Sequence, residues 1–324
     1  MEQIDSNEEL KSIINNSPAI TFLWKPEENW PVDFVSENVL QFGYEPEDFT
    51  SGGLDYADII HPDDLKNVKH EFSKHSEEKE PRGFTLDYRI LTKFGDIKWV
   101  EERTLMRRDE NGNVIQYLAI VLDITERKKA EEKLQLDEAR MEALLKLNNM
   151  SSSTLEEITD FALEEVINLT RSKVGYLAFL NPSETLLTMH SWSREALKNC
   201  EVKDKVYVYP VESTGLWGEA VRQRKPIITN DYSSPSRYKK GYPEGHVELK
   251  RHMNIPVFDG NKIVAVAGVG NKEEPYDNFD VRQMQLLMVG MWELIQRREM
   301  EKALKKYSDE FARANNELMS LDSI

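Results

Sequence analysis

At 324 residues the chain is long enough for two domains, each with its own buried core. It carries 42 Lys and Arg against 58 Asp and Glu, a formal net charge of −16, which argues against nucleic acid and anionic membranes as partners because both reward basic patches. The single cysteine, Cys200, excludes an internal disulfide and a cysteine-rich zinc site.

No apolar run approaches the roughly 18 residues of a spanning helix, and the N-terminus is acidic rather than signal-like, so a soluble, cytoplasmic protein without a membrane partner is expected. In the first stretch, residues 1–124, Ala19–Trp24 and Val32–Ser36 read as two short strands. Gly43, Pro46, Gly52 and Gly53 then mark short helices and loops. His61-Pro62-Asp63-Asp64 opens a helix to about Glu78, its acidic start suiting the free N–H groups and the positive dipole end. His61, His70 and His75 sit on or beside this charged helix and read as solvated side chains rather than metal ligands.

Three antiparallel strands follow, separated by turn signals at Phe94-Gly95-Asp96 and Asp109-Glu110-Asn111-Gly112. Residues Ile97 to Met106 alternate with the period of a strand. Asn111-Gly112 is expected to supply the positive φ angles of a tight hairpin. At Asp123-Ile124-Thr125 the sheet stops and a charged helix begins without a loop. A sheet that feeds an exposed helix directly can pass strain downstream, which is the geometry of a signal sensor. Over residues 125–150, Ala130, Leu134, Asp137, Met141, Leu144 and Asn148 recur at steps of four and three, a heptad seam that Asp137 and Asn148 weaken while fixing its register. An amphipathic helix packed on its own domain fits the same pattern.

Residues 151–297 read as a second unit. Thr154 and Glu157 form a capping box before a helix with one apolar face. Strands are expected at Val174–Leu180, Thr185–Trp192 and Val206–Tyr209. Ser193–Asn199 forms a short helix with Cys200 near its end. A helix over Thr214–Arg224 uses Gly215 and Gly218 for close packing. Pro226–Thr229 is extended, a long polar and aromatic loop spans Asn230–Gly245, and Met253–Phe258 pairs with Ile263–Val269 about Asp259-Gly260-Asn261. Gly268-Val269-Gly270-Asn271-Lys272 lacks the spacing of a phosphate loop and reads as a buried strand with close backbone approach. Taken alone, Cys200 is a small buried hydrophobe and His246 a polar loop residue.

The first unit resembles a PAS domain. Ser36-Glu37-Asn38, Phe42-Gly43-Tyr44, His61-Pro62-Asp63-Asp64, Tyr88-Arg89, Asp96-Ile97-Lys98-Trp99-Val100 and Asp123-Ile124-Thr125-Glu126-Arg127 carry the likeness. It implies a signal-transmission role for Asp123 and Thr125, with helix capping as its physical means. The second unit resembles a GAF domain, through Thr214 to Ala220, Pro226 to Tyr232, Ile255-Pro256-Val257 and Ala265 to Lys272. Together they imply an α+β chain: two domains, each with a central antiparallel sheet flanked by helices, PAS-like then GAF-like, joined and followed by coiled-coil helices. Around Trp192, Cys200, Gly245 and His246 the chain is similar to the haem-linked GAF domains of archaeal redox sensor kinases. That resemblance implies haem tethered at Cys200, with His246 as the iron ligand and His252 as its substitute. A different small molecule, or none, is the alternative.

From Met300 a cleaner seam runs through Leu304, Tyr307, Phe311, Ala314, Leu318 and Leu321 over residues 298–324, economically explained by a parallel homodimer. In the histidine kinases that the chain resembles, such a helix leads to a phosphoacceptor histidine and an ATP-binding domain. Neither follows here, so no enzyme activity is expected. The expected function is a signal-sensing module of two-component transduction, working with a sensor histidine kinase or response regulator. The alternative is a kinase-less regulatory partner that pairs with a full-length sensor histidine kinase without a ligand of its own.

Overall fold

The computed structural model describes residues 9, 11–77, 83–199, 208–240 and 247–321. Two compact units divide between Lys133 and Leu134.

In the first unit β1 (Ala19–Trp24) and β2 (Val32–Val35) precede three short helical pieces: a 3-10 turn at Glu37–Phe42, α1 (Pro46–Thr50) and α2 (Tyr56–Ile59). Then come α3 (Pro62–Glu77), β3 (Gly83–Leu91), β4 (Ile97–Arg108) and β5 (Val114–Asp123). The described strands form one antiparallel sheet in the order β2-β1-β5-β4-β3. Inward residues at every second position bury Ile20, Phe22 and Trp24 against Phe49, Tyr56 and Phe72 from the helices. The rings interlock edge to face and by stacking, with Trp24 and Tyr56 centroids 4.2 Å apart, the offset arrangement that aromatic quadrupoles favour.

The β4–β5 connection differs from the tight hairpin expected at Asn111-Gly112. Gly112 alone takes positive φ, +85°. The Asp109 carboxylate accepts the backbone N–H groups of Asn111 and Asn113 at 2.9 and 2.8 Å, closing a longer loop around its own side chain.

Helix α4 (Thr125–Asn148) runs unbroken, with its second half in the second unit. There α5 (Leu155–Leu169), β6 (Val174–Leu180), β7 (Leu186–Trp192), α6 (Arg194–Asn199), β8 (Val208–Pro210), α7 (Leu216–Arg222), β9 (Ile227–Thr229), β10 (His252–Asp259), β11 (Lys262–Gly270) and α8 (Asn278–Leu321) follow. The described strands form an antiparallel sheet in the order β8-β7-β6-β11-β10-β9. One face packs Leu177, Ile255, Ala265 and Ala267 under α4, α5 and α8. The other packs Ala178, Leu187 and Val266 under α7. Both faces are covered, so β10 and β11 are buried along nearly their whole length.

Thr154 and Glu157 make the expected capping box at α5. Helix α7 is shorter than Thr214–Arg224: Thr214 bonds back to the Val211 carbonyl, and the helix starts at Leu216 behind Gly215.

The heptad positions of α4 are used differently from the seam read over 125–150. Leu134 and Met141 are 60% and 56% exposed, whereas Arg140, Ala143 and Leu147 are buried. Asp137 and Arg140 lie beside Gln283, and Asn148 beside Arg297, so this half of α4 runs alongside α8 in the same direction. A Cβ on Gly290 of α8 would stand 2.7 Å from Leu144, so the two helices touch closely there.

Candidate functional site

Two places combine geometry with the residues singled out above. The first is the junction of β5 and α4. The ladder between β4 and β5 ends at Val100 opposite Asp123. Ile124 N–H then donates to the Trp99 carbonyl at 2.9 Å, and the Trp99 N–H donates to the Thr125 hydroxyl at 3.0 Å. The Asp123 carboxylate accepts the Thr125 N–H at 2.8 Å and meets Lys98 Nζ at 3.1 Å. Burial opposes ionisation of Asp123, but the bonds from Thr125 and Lys98 outweigh it and hold its carboxyl below the usual range. Asp123 thus satisfies a free N–H of the first turn, while buried Thr125 ties the helix to β4 through its side chain. Lys128 pairs with Asp87 at 2.7 Å and lies 5.4 Å from the Trp99 ring centroid. Arg127 pairs with Glu101 at 2.9 Å. The first turns of α4 are thus tied to β4 and β3 by backbone, side-chain and ion-pair contacts.

The second place is the α7 side of the second sheet. Register aligns Ile227, Asn254, Gly268, Tyr176 and Trp192 in one row across β9, β10, β11, β6 and β7. Tyr176 donates to the Asn254 side-chain oxygen at 2.7 Å, and Asn254 Nδ2 lies 3.4 Å from His252 Nδ1. Burial pushes the Tyr176 hydroxyl up. Trp217 of α7 meets the Tyr176 ring edge-on at 6.0 Å and the Tyr209 ring at 4.9 Å. A side chain on Gly268 would overlap both the Tyr176 ring and Asn254. The glycine is required by close approach within the wall, as read from the sequence.

Cys200 and His246 lie outside the described residues, as does Gly245. His252, the substitute ligand, is 6% exposed on β10, in the wall just described. Among the described residues no group of three or more His, Cys, Asp and Glu is placed to hold a metal ion. His75 stacks on Phe84 at 4.6 Å.

Several side chains to which the sequence reading gave no individual role connect this wall to α8. Asn230, directly after β9, accepts the Tyr276 N–H at 2.7 Å and donates to the Tyr276 carbonyl at 2.9 Å. Lys272, two residues past β11, pairs with buried Asp280 in the first turn of α8 at 2.7 Å. Tyr276 also bonds Ser172 at 2.8 Å, and burial raises its hydroxyl to about 12. In the sequence Asn230 and Lys272 were legible only as members of the GAF-like segments 226–232 and 265–272, which do not indicate Tyr276 and Asp280 as their partners.

Residues 32–121 match the family model described as PAS fold, and residues 152–296 the one described as GAF domain. The chain therefore carries a PAS domain followed by a GAF domain, a sensor architecture typical of signal transduction. Among curated proteins it is similar to the methyl sulfide methyltransferase-associated sensor of Methanosarcina acetivorans, at 32% identity over 98% of this chain and 61% of that protein. The chain thus spans under two thirds of that relative's length. An uncharacterized protein of Sinorhizobium fredii is 30% identical over 42% of this chain and 16% of its own length. Among solved structures, a sensory box histidine kinase/response regulator from Burkholderia thailandensis is 21% identical, covering 41% of this chain and 98% of that one, with TM-score 0.34. The GAF domain of a phosphoenolpyruvate-protein phosphotransferase from Coxiella burnetii is 12% identical, covering 51% and 96%, with TM-score 0.41. No helix among the described residues is long and apolar enough to cross a membrane.

Proposed function

We propose that the chain is the sensing region of a cytoplasmic, two-component signal-transduction protein that works as a parallel homodimer and reports through its helices to a histidine kinase or response regulator. One observation carries this reading. Beyond the second sheet α8 continues with Met300, Leu304, Tyr307 and Phe311 at steps of four, three and four, each 64–71% exposed. A stripe of this kind on a helix in water is a seam for a second helix. The sensor name of the archaeal relative supports the same reading.

In the GAF domain the reading places a small flat ligand against Tyr176, Trp217 and Tyr209. These rings and the neighbouring imidazole of His252 suit haem. Cys200 would tether it and His246 ligate the iron, as the resemblance implies. Bound haem would supply a redox-active iron whose potential depends on its ligands and burial. The chain's own contribution is transmission: Asn230 and Lys272 link the ends of β9 and β11 to Tyr276 and Asp280, so a change at the wall reaches the start of α8. No chemistry of its own is assigned to the chain.

Two measurements on the full chain test the reading. Sedimentation should give dimers for the parent and monomers for Leu304→Asp/Phe311→Asp. A monomeric parent that binds a longer kinase chain would favour the heterodimeric alternative instead. With added haem, the parent should develop a Soret band that resists acid–acetone extraction, Cys200→Ala a band that is extracted, and His246→Ala a shifted one. Absence of any band in the parent would remove haem, leaving the sensor reading to rest on the dimer.

A further inference from the structure

The PAS core contains a carboxyl group that the transmission scheme has not used. Glu102, on the inward face of β4, is completely buried. Tyr88 donates to its Oε2 and Thr104 to its Oε1. Tyr88 is itself hydrogen-bonded to the hydroxyl of Tyr56 at 2.7 Å. Tyr56 and Tyr88 are buried as well, and the Tyr56 ring stacks on Trp24, whose indole N–H is buried without a hydrogen-bond partner among the described residues. No Lys, Arg or His among the described residues bonds to Glu102. Register sets apolar Leu86 and Val121 directly across from it on β3 and β5. The groups facing it are thus Tyr88 from β3, Tyr56 behind it from α2, and Thr104 from its own strand.

We propose that the Tyr56–Tyr88–Glu102–Thr104 chain makes the PAS domain a proton-responsive element, in which gain or loss of the Glu102 proton is passed along β4 to the Trp99–Thr125 tie at the start of α4. As a carboxylate, Glu102 accepts from both Tyr88 and Thr104, and Tyr56 donates to Tyr88. As an acid it carries an O–H of its own, and among the groups facing it only the Tyr88 and Thr104 hydroxyls can accept that proton, so satisfying it reverses one of the two bonds. Keeping the carboxylate's pattern would leave that O–H buried and unpaired, so the two states favour different hydrogen-bond patterns. Burial without a counter-cation raises the Glu102 carboxyl to about 7, against which the bonds from Thr104 and Tyr88 work. Both forms are therefore accessible near neutral pH. Glu102 lies two residues from Val100, which faces Asp123, and three from Trp99, whose N–H and carbonyl hold Thr125 and Ile124. Rearrangement at Glu102 thus acts on the strand that pins α4.

The sign follows from burial. The folded state holds this proton to higher pH than the unfolded chain, so the domain loses stability as pH rises from the ordinary carboxyl range to about neutral, and no further loss from this group follows above that. The test is a titration of the full chain from pH 5.5 to 8.5. It follows the infrared carbonyl stretch of a protonated carboxyl, Trp24 fluorescence assigned with Trp24→Phe, and hydrogen exchange at the Trp99 and Thr125 amides. The histidines His61, His70 and His75 stay in every variant. The parent should lose the carbonyl band through one transition, with emission and exchange changing at the same midpoint. Glu102→Gln should show none of the three changes. Should that variant misfold, Tyr88→Phe is the second probe: having lost a donor to the carboxylate, it should move the midpoint upward. A transition that persists in Glu102→Gln, a parent with no carbonyl change over the range, or an unmoved midpoint in Tyr88→Phe would overturn the proposal. A carbonyl change without altered exchange at Trp99 and Thr125 would overturn its transmission step.

Discussion

Replacing Gln283 by Leu should loosen α8 from α4. Gln283 is fully buried and makes two bonds: its oxygen accepts from Arg140 Nη1 at 2.8 Å, and its nitrogen donates to Asp137 Oδ1 at 3.0 Å. Arg140 is 7% exposed and reaches Asp137 at 2.7 Å. Gln283→Leu leaves this guanidinium with Asp137 as its single partner among the described residues, so the cost is that of a hydrogen bond to a charged group, about 1.5–3 kcal/mol. Arg140→Met keeps much of the apolar stem but strands the Gln283 oxygen, for about 1–3 kcal/mol. The double variant removes both polar ends together. It should cost less than the sum of the singles by about 1 kcal/mol or more, because a buried polar set is worst when half satisfied. Hydrogen exchange of the full chain, read on peptides within residues 279–295, measures this directly, since local opening governs exchange there. Each single variant should lose protection roughly tenfold to a hundredfold. Losses that simply add, within about 0.5 kcal/mol, would refute the view that Asp137, Arg140 and Gln283 act as a unit.

Two further outcomes follow from the same kind of reasoning. Asp64 grips Arg89 through two bonds at 2.6 and 2.9 Å, and the Arg89 hydrogen bond, against some burial, holds its carboxyl below the usual range. Its contribution is present above the ordinary carboxylate range and is lost as pH falls through the depressed value. Asp64→Asn should therefore destabilise the PAS unit by about 1–3 kcal/mol at neutral pH and flatten its acid-unfolding limb; equal stability at pH 7 in thermal melts would count against the pair. Gly268→Ala should force Tyr176 and Asn254 apart and cost about 1–3 kcal/mol, lowering the GAF transition by roughly 2–4 °C per kcal/mol. A melting temperature equal to the parent's would show that the wall can yield.

Most elements were legible in the sequence because their causes are local. Period-2 alternation, the Thr154–Glu157 capping box and the loopless junction at Asp123-Ile124-Thr125 are set by neighbours a few residues apart. Alternation fixes a strand's period but not its phase. Glu101 and Glu102 are adjacent, and nothing in the segment says which one enters the core. Pairing with β3 and β5 decides it, placing Glu102 beside Tyr88 and leaving Glu101 outside to meet Arg127. The same holds for α4. Leu134, Leu136, Met141, Leu144, Leu145 and Leu147 spread apolar surface around the helix, so a seam through Leu134 and Met141 and a face through Arg140, Ala143 and Leu147 fit the segment equally. Asp137 was legible as a register-setting residue, but its partner proved to be Gln283 of the same chain. What the sequence determined by itself is the set of elements and their apolar periods, since these depend on backbone preference and short-range contacts. Which face is buried, and which polar groups meet there, was decided by segments up to about 150 positions away, because only folding brings those partners within hydrogen-bonding distance.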